Sequence, residues 1–131
     1  AIDIFHKAIS DGHYDCFLTE DTALPMMFME DAVKATLDIM NAESSDVKIR
    51  SSYNLAAISF TPKELANEIK KQIPDFTIDY EPDFRQKIAN SWPNSIDDSE
   101  ARKDWNWEHS YDLEAMSKEM LNQLGSTKTL V

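Results

Sequence analysis

The chain has two glycines among its 131 residues, and this scarcity limits what it can fold into. Gly12 and Gly125 stand near opposite ends, and each is placed to end a helix or to form a turn. A dinucleotide-binding loop or a P-loop needs several clustered glycines, because the backbone must approach phosphate groups closely. The chain therefore carries neither loop, and we expect no cofactor-binding residues within it.

The chain is strongly acidic, with 24 Asp and Glu against 13 Lys and Arg and a net charge of −11. A surface that reads phosphates needs a basic stripe, so we expect no nucleic-acid partner and no membrane partner. No apolar run approaches membrane-spanning length, and no secretory signal is evident. The single cysteine, Cys16, excludes an internal disulfide, and a reducing cytoplasmic location is the simplest expectation.

Helical and extended patterns alternate along the first half of the chain. Ile2, Phe5 and Ile9 have helical spacing without a capping residue before them, which we interpret as a chain cut inside or just before a helix. Gly12 is the expected stop. The patterns that follow predict a strand at 14–18 with Tyr14, Cys16 and Leu18 on one face, an extended buried segment at 26–29, and a helix at 30–41 with Val33, Leu37 and Met40 facing the core.

The second half has clearer signals. Thr61 as N-cap, Pro62 at the first helical position and Glu64 form a capping box for a helix that ends near Gln72. The remaining patterns predict strands at 49–56 and 76–81, a short helix at 83–90, a helix begun by Asp97 or Asp98, and a last helix capped by Asp112, with Leu113, Met116, Met120 and Leu124 inward and Gly125 as its stop. We thus predict an α/β or α+β domain at 1–124 and a flexible tail at 125–131.

Three runs of the chain carry a family resemblance. SWPNSIDDSEARKDWNWEHSYDLEAMSKEML, at 91–121, is similar to the C-terminal signature of extended short-chain dehydrogenase/reductases, the family of sugar-nucleotide epimerases and dehydratases. LPMMFMEDAVKATLDIM resembles the extended segment and helix start of that family, with Asp31 at the family's Asp. The run at 53–107, from YNLAAISF to DWNW, closely resembles the short-chain type of L-threonine 3-dehydrogenases.

The resemblance implies a fold and a function. The expected fold is the C-terminal substrate-side portion of an extended short-chain dehydrogenase, with a small sheet, about five helices and the Rossmann core largely missing. Enzymes of that branch oxidise L-threonine to 2-amino-3-oxobutyrate with NAD, using a Tyr-x-x-x-Lys pair. No tyrosine here has a lysine four residues later, so we expect no catalytic residue in the chain. By itself it should bind no NAD, turn over no threonine, and form a homo-oligomer or swapped dimer.

Two other functions remain open at this stage. The parent could be another extended short-chain enzyme, such as a sugar-nucleotide epimerase. Those enzymes carry an arginine before the extended segment, whereas this chain has Leu24, which cannot form a bidentate phosphate contact. The chain could also be a stand-alone acidic binding module with an enzyme-like fold, although the length of the matching run argues against that.

A few side chains are candidates for a site. Trp92 precedes Pro93 in a polar stretch, and the resemblance implies that it closes a threonine pocket and excludes water; a core aromatic on a loop is the equal alternative. We interpret Trp105 and Trp107 as structural. His13 and Cys16 lack further ligands, so no metal site is expected. The remaining candidates have ordinary interpretations: Asp97 and Asp98 as helix caps, Arg85 in a surface salt bridge, and Met26, Met27 and Met29 as core residues.

Overall fold

A computed structural model describes residues 2–128, and the side chains of residues 2–126. The described part is a mixed α/β structure in which six helices accompany four short strands. In chain order the elements are α1 (Ile2–Ser10), β1 (His13–Cys16), β2 (Leu24–Met26), α2 (Met29–Asn41), β3 (Ile58–Phe60), α3 (Pro62–Gln72), β4 (Thr77–Tyr80), α4 (Arg85–Ala89), α5 (Ser99–Trp105) and α6 (Leu113–Lys128). No helix among them is long and apolar enough to cross a membrane.

The strands form two separate pairs. β1 and β4 are parallel, with Asp15 opposite Asp79 and Cys16 opposite Tyr80, while β2 and β3 are antiparallel. Gly12 sits between α1 and β1 at a φ of 67°, a left-handed conformation that glycine adopts without a Cβ clash. The helix stop predicted at Gly12 is therefore confirmed, as is the burial of Tyr14 and Cys16 on one face of β1.

In the main core, α1, the strands, α3 and α6 pack around a shared set of apolar side chains. Its buried members are Ile4, Phe5, Ala8, Tyr14, Cys16, Phe60, Leu65, Ala66, Ile69, Phe76, Met116 and Leu121. The capping box at Thr61 and Glu64 begins α3 as predicted, since the Thr61 hydroxyl accepts from the Glu64 amide and the Glu64 carboxylate accepts from the Thr61 amide. Phe5 of α1 is 2% exposed, whereas Ile2 of the same helix is 65% exposed.

Helix α2 faces the opposite way from the prediction. Val33, Leu37 and Met40 are 53%, 52% and 74% exposed, and Met29, expected in the core, is 71% exposed as the first residue of the helix. The buried face instead carries Asp31 and Ala35. The extended segment expected at 26–29 also ends early, because β2 stops at Met26.

The buried face of α2 is held by polar contacts with the segment before α6. The Asp31 carboxylate accepts hydrogen bonds from the amides of Ser110 at 2.7 Å and Tyr111 at 3.0 Å. Glu30 accepts from the Tyr111 hydroxyl and raises the pKa of that phenol to about 12. Lys34 donates to the carbonyl of Glu108 at 3.1 Å. The buried Asp31 carboxylate and its two amide donors thus hold the face of α2 that the apolar spacing had placed toward solvent.

Three further sequence predictions need correction. Residues 49–56 form no strand; the strand lies later, at Ile58–Phe60. Helix α6 continues through Gly125 to Lys128, so the predicted stop is wrong, and residues 129–131 of the predicted tail lie outside the described residues. Asp98 occupies the N-cap position of α5 without a capping hydrogen bond from its side chain, whereas Asp97 accepts from the Ser99 amide at 3.0 Å. Asp112 caps α6 as predicted, accepting from the Ala115 amide at 2.8 Å.

Candidate functional site

A polar cleft of about 360 Å³ lies between the loop after β1 and helix α4. Its lining residues are Thr19, Asp21, Thr22, Ala23, Gln86, Ala89, Asn90 and Asn94. The loop that lines one wall follows β1 directly. Helix α4, which lines the other wall, follows the neighbouring strand β4 after a short connection. The two walls are therefore positioned by one parallel strand pair, although they are more than sixty residues apart along the chain.

Gln86 joins the two walls of this polar cleft. Its side-chain amide oxygen accepts from the Thr19 backbone amide at 2.8 Å, and its side-chain amide nitrogen donates to the Thr22 hydroxyl at 3.0 Å and to the side-chain oxygen Oδ1 of Asn90 at 2.6 Å. The hydroxyls of Thr19 and Thr22 are also hydrogen-bonded to each other at 2.6 Å. Uncharged donors and acceptors held in fixed positions suit the polar groups of a small ligand.

Trp92 lies just beyond α4, on the loop that continues into the polar cleft. Its amide donates to the Ala89 carbonyl at 3.1 Å, and its neighbours Asn90 and Asn94 line the cleft. The indole is 55% exposed and is not among the residues that line the cleft, so the alternative of a core aromatic does not describe it. The Trp92–Pro93 peptide is trans.

The other tryptophans are structural, as predicted. Trp105 and Trp107 are 7% and 2% exposed and form a second core cluster with Ala35 and Ala101. The Trp107 indole N–H donates to the Ala56 carbonyl at 2.9 Å, which fixes the connection before β3. This cluster also receives the buried face of α2.

Two aspartates on α5 and before it tie the same connection down. Asp104 accepts from the Tyr53 hydroxyl at 2.8 Å and from the Lys48 ammonium at 3.3 Å, and these contacts lower the pKa of its carboxyl. Asp98 accepts from Arg102 at 2.8 Å and from the Ala56 amide at 3.3 Å. Asp98 and Asp104 therefore anchor the connection before β3.

The contacts of Arg85 and of His13 show what each side chain does in the fold. Arg85 pairs with Asp83 at 2.6 Å, as predicted, and its guanidinium also stacks 3.4 Å from the centroid of the Phe17 ring. His13 and Cys16 cannot share an ion, because successive side chains of β1 alternate between faces: Cys16 is 5% exposed in the core and His13 points outward with Asp15.

Sequence reasoning did not single out Thr19, Thr22 and Gln86. The sequence carries only a weak signal for Gln86. It stands three residues before Ala89, on the side of α4 that is covered in the fold. Nothing in the sequence pairs this helix with the loop at 19–23, since that contact depends on the β1–β4 register.

The described fold is that of the C-terminal part of epimerase-like, extended short-chain dehydrogenases. The fold recurs in the ADP-L-glycero-D-manno-heptose-6-epimerase of Helicobacter pylori, with a TM-score of 0.77, 17% identity, and coverage of 95% of this chain and 37% of that one. At that identity the likeness concerns the fold alone. No family model matches the chain.

Within this class, the homologues at 44–52% identity include L-threonine 3-dehydrogenases, and the chain matches their C-terminal part. The mitochondrial L-threonine 3-dehydrogenase of Bos taurus is 47% identical over 127 residues, which are 96% of this chain and 34% of that protein. The crystal structure of the Phytophthora infestans L-threonine dehydrogenase superposes with a TM-score of 0.91 at 50% identity, covering 95% of this chain and 40% of that one.

A further relative carries a broader name. An uncharacterized epimerase/dehydratase of Staphylococcus saprophyticus is 46% identical over 125 residues, which are 95% of this chain and 39% of that protein. The chain therefore spans between about a third and two fifths of the length of the relatives it matches.

Proposed function

We propose that this chain is the substrate-side, C-terminal portion of an NAD-dependent L-threonine 3-dehydrogenase, which oxidises L-threonine to 2-amino-3-oxobutyrate. The observation that carries the proposal is the 47% identity to the bovine enzyme across 96% of the chain. The TM-score of 0.91 to the Phytophthora infestans enzyme supports it, because a closely similar backbone accompanies 50% sequence identity.

The polar cleft is the proposed threonine-facing surface of this portion. An amino acid presents an ammonium, a carboxylate and, in threonine, a hydroxyl. The Asp21 carboxylate suits the ammonium, and the Thr22 hydroxyl and the Asn94 amide can hydrogen-bond the remaining groups. Trp92, which stands between Asn90 and Asn94 along the chain, would cover the bound amino acid and exclude water from the reacting carbon.

The residues of this chain do not fit NAD. Gly12 follows the end of α1 and Gly125 lies inside α6, so no glycine-rich loop faces a helix N-terminus. We therefore assign cofactor binding and the Tyr-x-x-x-Lys chemistry to the part of the enzyme that this chain does not span. The chain alone should bind no NAD and produce no NADH from threonine.

The similarity to the relative from Staphylococcus saprophyticus supports a second candidate function, that of an epimerase or dehydratase of the same class. Leu24 favours the dehydrogenase, because an apolar side chain in β2 offers no charge to a nucleotide diphosphate. A sugar-nucleotide substrate would need another cation in its place.

Steady-state kinetics on the enzyme that contains this chain tests the proposal. We expect NADH formation with L-threonine, no turnover of sugar nucleotides, and a KM for threonine raised about tenfold or more by Trp92→Ala. Phe84→Ala is the matched control, since Phe84 is also an exposed aromatic, at 72%, but precedes α4, whereas Trp92 stands between the cleft residues Asn90 and Asn94 along the chain. Absence of threonine oxidation by that enzyme would overturn the assignment; equal kinetics for both variants would overturn the role of Trp92.

A further inference from the structure

The exposed face of the β1–β4 strand pair carries four polar side chains in two opposed pairs. His13 lies opposite Thr77, and Asp15 lies opposite Asp79. Since side chains alternate along each strand, all four project away from the core that holds Tyr14 and its neighbours. The parallel register alone brings Asp79 to His13, from 66 positions away in the sequence (79 minus 13).

One nitrogen of the His13 imidazole contacts a hydroxyl oxygen that orients the ring, and the other nitrogen faces two carboxylates. Its Nδ1 is 2.7 Å from the Thr77 hydroxyl oxygen. Its Nε2 is 2.9 Å from an Asp15 carboxylate oxygen and 3.7 Å from an Asp79 carboxylate oxygen. One ligand atom from each of the three residues lies within 4.8 Å of the others.

These separations are close to those of a metal site. Donors about 2.0–2.2 Å from a tetrahedral zinc ion are roughly 3.4 Å apart, so small rotations of the two aspartates would bring all three donors into range. A metal-ligating histidine usually donates its other ring N–H to an oxygen that fixes the ring, and the Thr77 hydroxyl oxygen is placed to accept that hydrogen bond here. Imidazole with carboxylates suits Zn²⁺ or Co²⁺, whereas Ca²⁺ takes oxygen ligands only.

We propose that His13 Nε2, Asp15 and Asp79 bind one divalent transition-metal ion, with Zn²⁺ as the best fit and water in the remaining position. The ion replaces the hydrogen bond between His13 and Asp15 and links β1 to β4. The side chains of His13, Asp15 and Asp79 are 38%, 71% and 74% exposed, so the site is open to solvent. It is a structural link, placed on the strand pair that positions both walls of the polar cleft.

Titration calorimetry of the 131-residue chain with ZnCl₂, after removal of metals with a chelator, tests this inference. We expect saturable binding with one ion per chain, and an affinity reduced at least about tenfold by Asp79→Asn and by His13→Gln. His6→Gln and Asp75→Asn are matched controls on exposed positions, and both should retain the affinity of the unaltered chain. Zn²⁺ should also raise the thermal unfolding midpoint of the unaltered chain and of the controls.

Each result decides the proposal. All three proposed ligands lie on the surface, so their substitution leaves the core intact, and far-ultraviolet circular dichroism checks that the variants are folded. The proposal is overturned if the unaltered chain shows no saturable binding, since the three side chains then form ion pairs alone. It is equally overturned if Asp79→Asn and His13→Gln bind as tightly as the controls, because the ion then sits elsewhere.

Discussion

Asp98 is a carboxylate whose partners come from two directions. Arg102 approaches from the next turn of α5, and the Ala56 amide approaches from the connection before β3. Burial raises the pKa of this carboxyl, but the hydrogen bond and charge of Arg102, with the Ala56 amide, outweigh it and leave the pKa below 3.8. At the residue scale, therefore, Asp98 links two segments, whereas Asp97 makes the capping hydrogen bond to α5.

The lowered pKa of Asp98 gives a prediction for stability against pH. Because the folded pKa lies below the unfolded one, the ionised carboxylate stabilises the fold above about pH 5, and this contribution is lost as the pH falls through the folded pKa. We expect the free energy of unfolding, measured with urea, to fall more steeply between about pH 5 and pH 3 for the unaltered chain than for Asp98→Asn. Asp46→Asn, at an exposed position, is the control. Parallel curves for Asp98→Asn and the unaltered chain would contradict this role.

At the scale of elements, α2 has two different faces. Apolar residues spaced at three and four positions point to solvent, and Asp31 and Ala35 point inward. The helix is oriented by the two amide hydrogen bonds to Asp31 and by packing of Ala35 in the cluster of Trp105 and Trp107. Periodicity identifies an apolar face without telling which neighbour covers it, so it predicted the wrong side here.

Removal of the Asp31 carboxylate should detach this face of α2. Asp31→Ala removes two hydrogen bonds from backbone amides to a buried, charged acceptor, so we expect a loss on the order of 3 kcal/mol in the free energy of unfolding by urea. Asp38→Ala removes a carboxylate of the same helix that pairs with Lys34 at the surface, and it should cost less than about 1 kcal/mol. If both variants lose the same amount, the Asp31 contacts do not hold the helix.

Other elements show where local signals were sufficient. The start of α3 was predicted correctly because a capping box is read from four consecutive residues, beginning at Thr61. The strand predicted at 49–56 was wrong for the opposite reason. Tyr53 and Ala56 hydrogen-bond to Asp104, Asp98 and Trp107, so this stretch satisfies its polar groups through distant side chains and forms no ladder.

At the scale of the whole molecule, a row of apolar side chains lies uncovered. Ile2, Met29, Val33, Leu37 and Met40 are 65%, 71%, 53%, 52% and 74% exposed. An apolar groove of about 560 Å³ adjoins this row, with Ile2, Met29 and Met120 among its walls. Contiguous apolar surface of this kind favours association.

This row predicts that the chain self-associates. Sedimentation velocity should show the average mass rising with concentration, and Leu37→Asp should reduce that rise by placing a charge in the apolar contact. Phe84→Asp is the control, because Phe84 is 72% exposed, stands beside Arg85 and does not line the apolar groove. A chain that remains monomeric at every concentration would contradict the prediction.

The sequence by itself determined the class of fold, the helix starts with capping signals, the inward face of β1 and the resemblance to one enzyme branch. It did so because each of these depends on residues close together in the chain or on a long matching run. Only the tertiary structure decided which face of α2 is buried, that Gln86 joins the two walls of the polar cleft, and that Asp79 stands beside His13. Those facts depend on strand register and on contacts between segments far apart in the sequence, which periodicity and spacing do not encode.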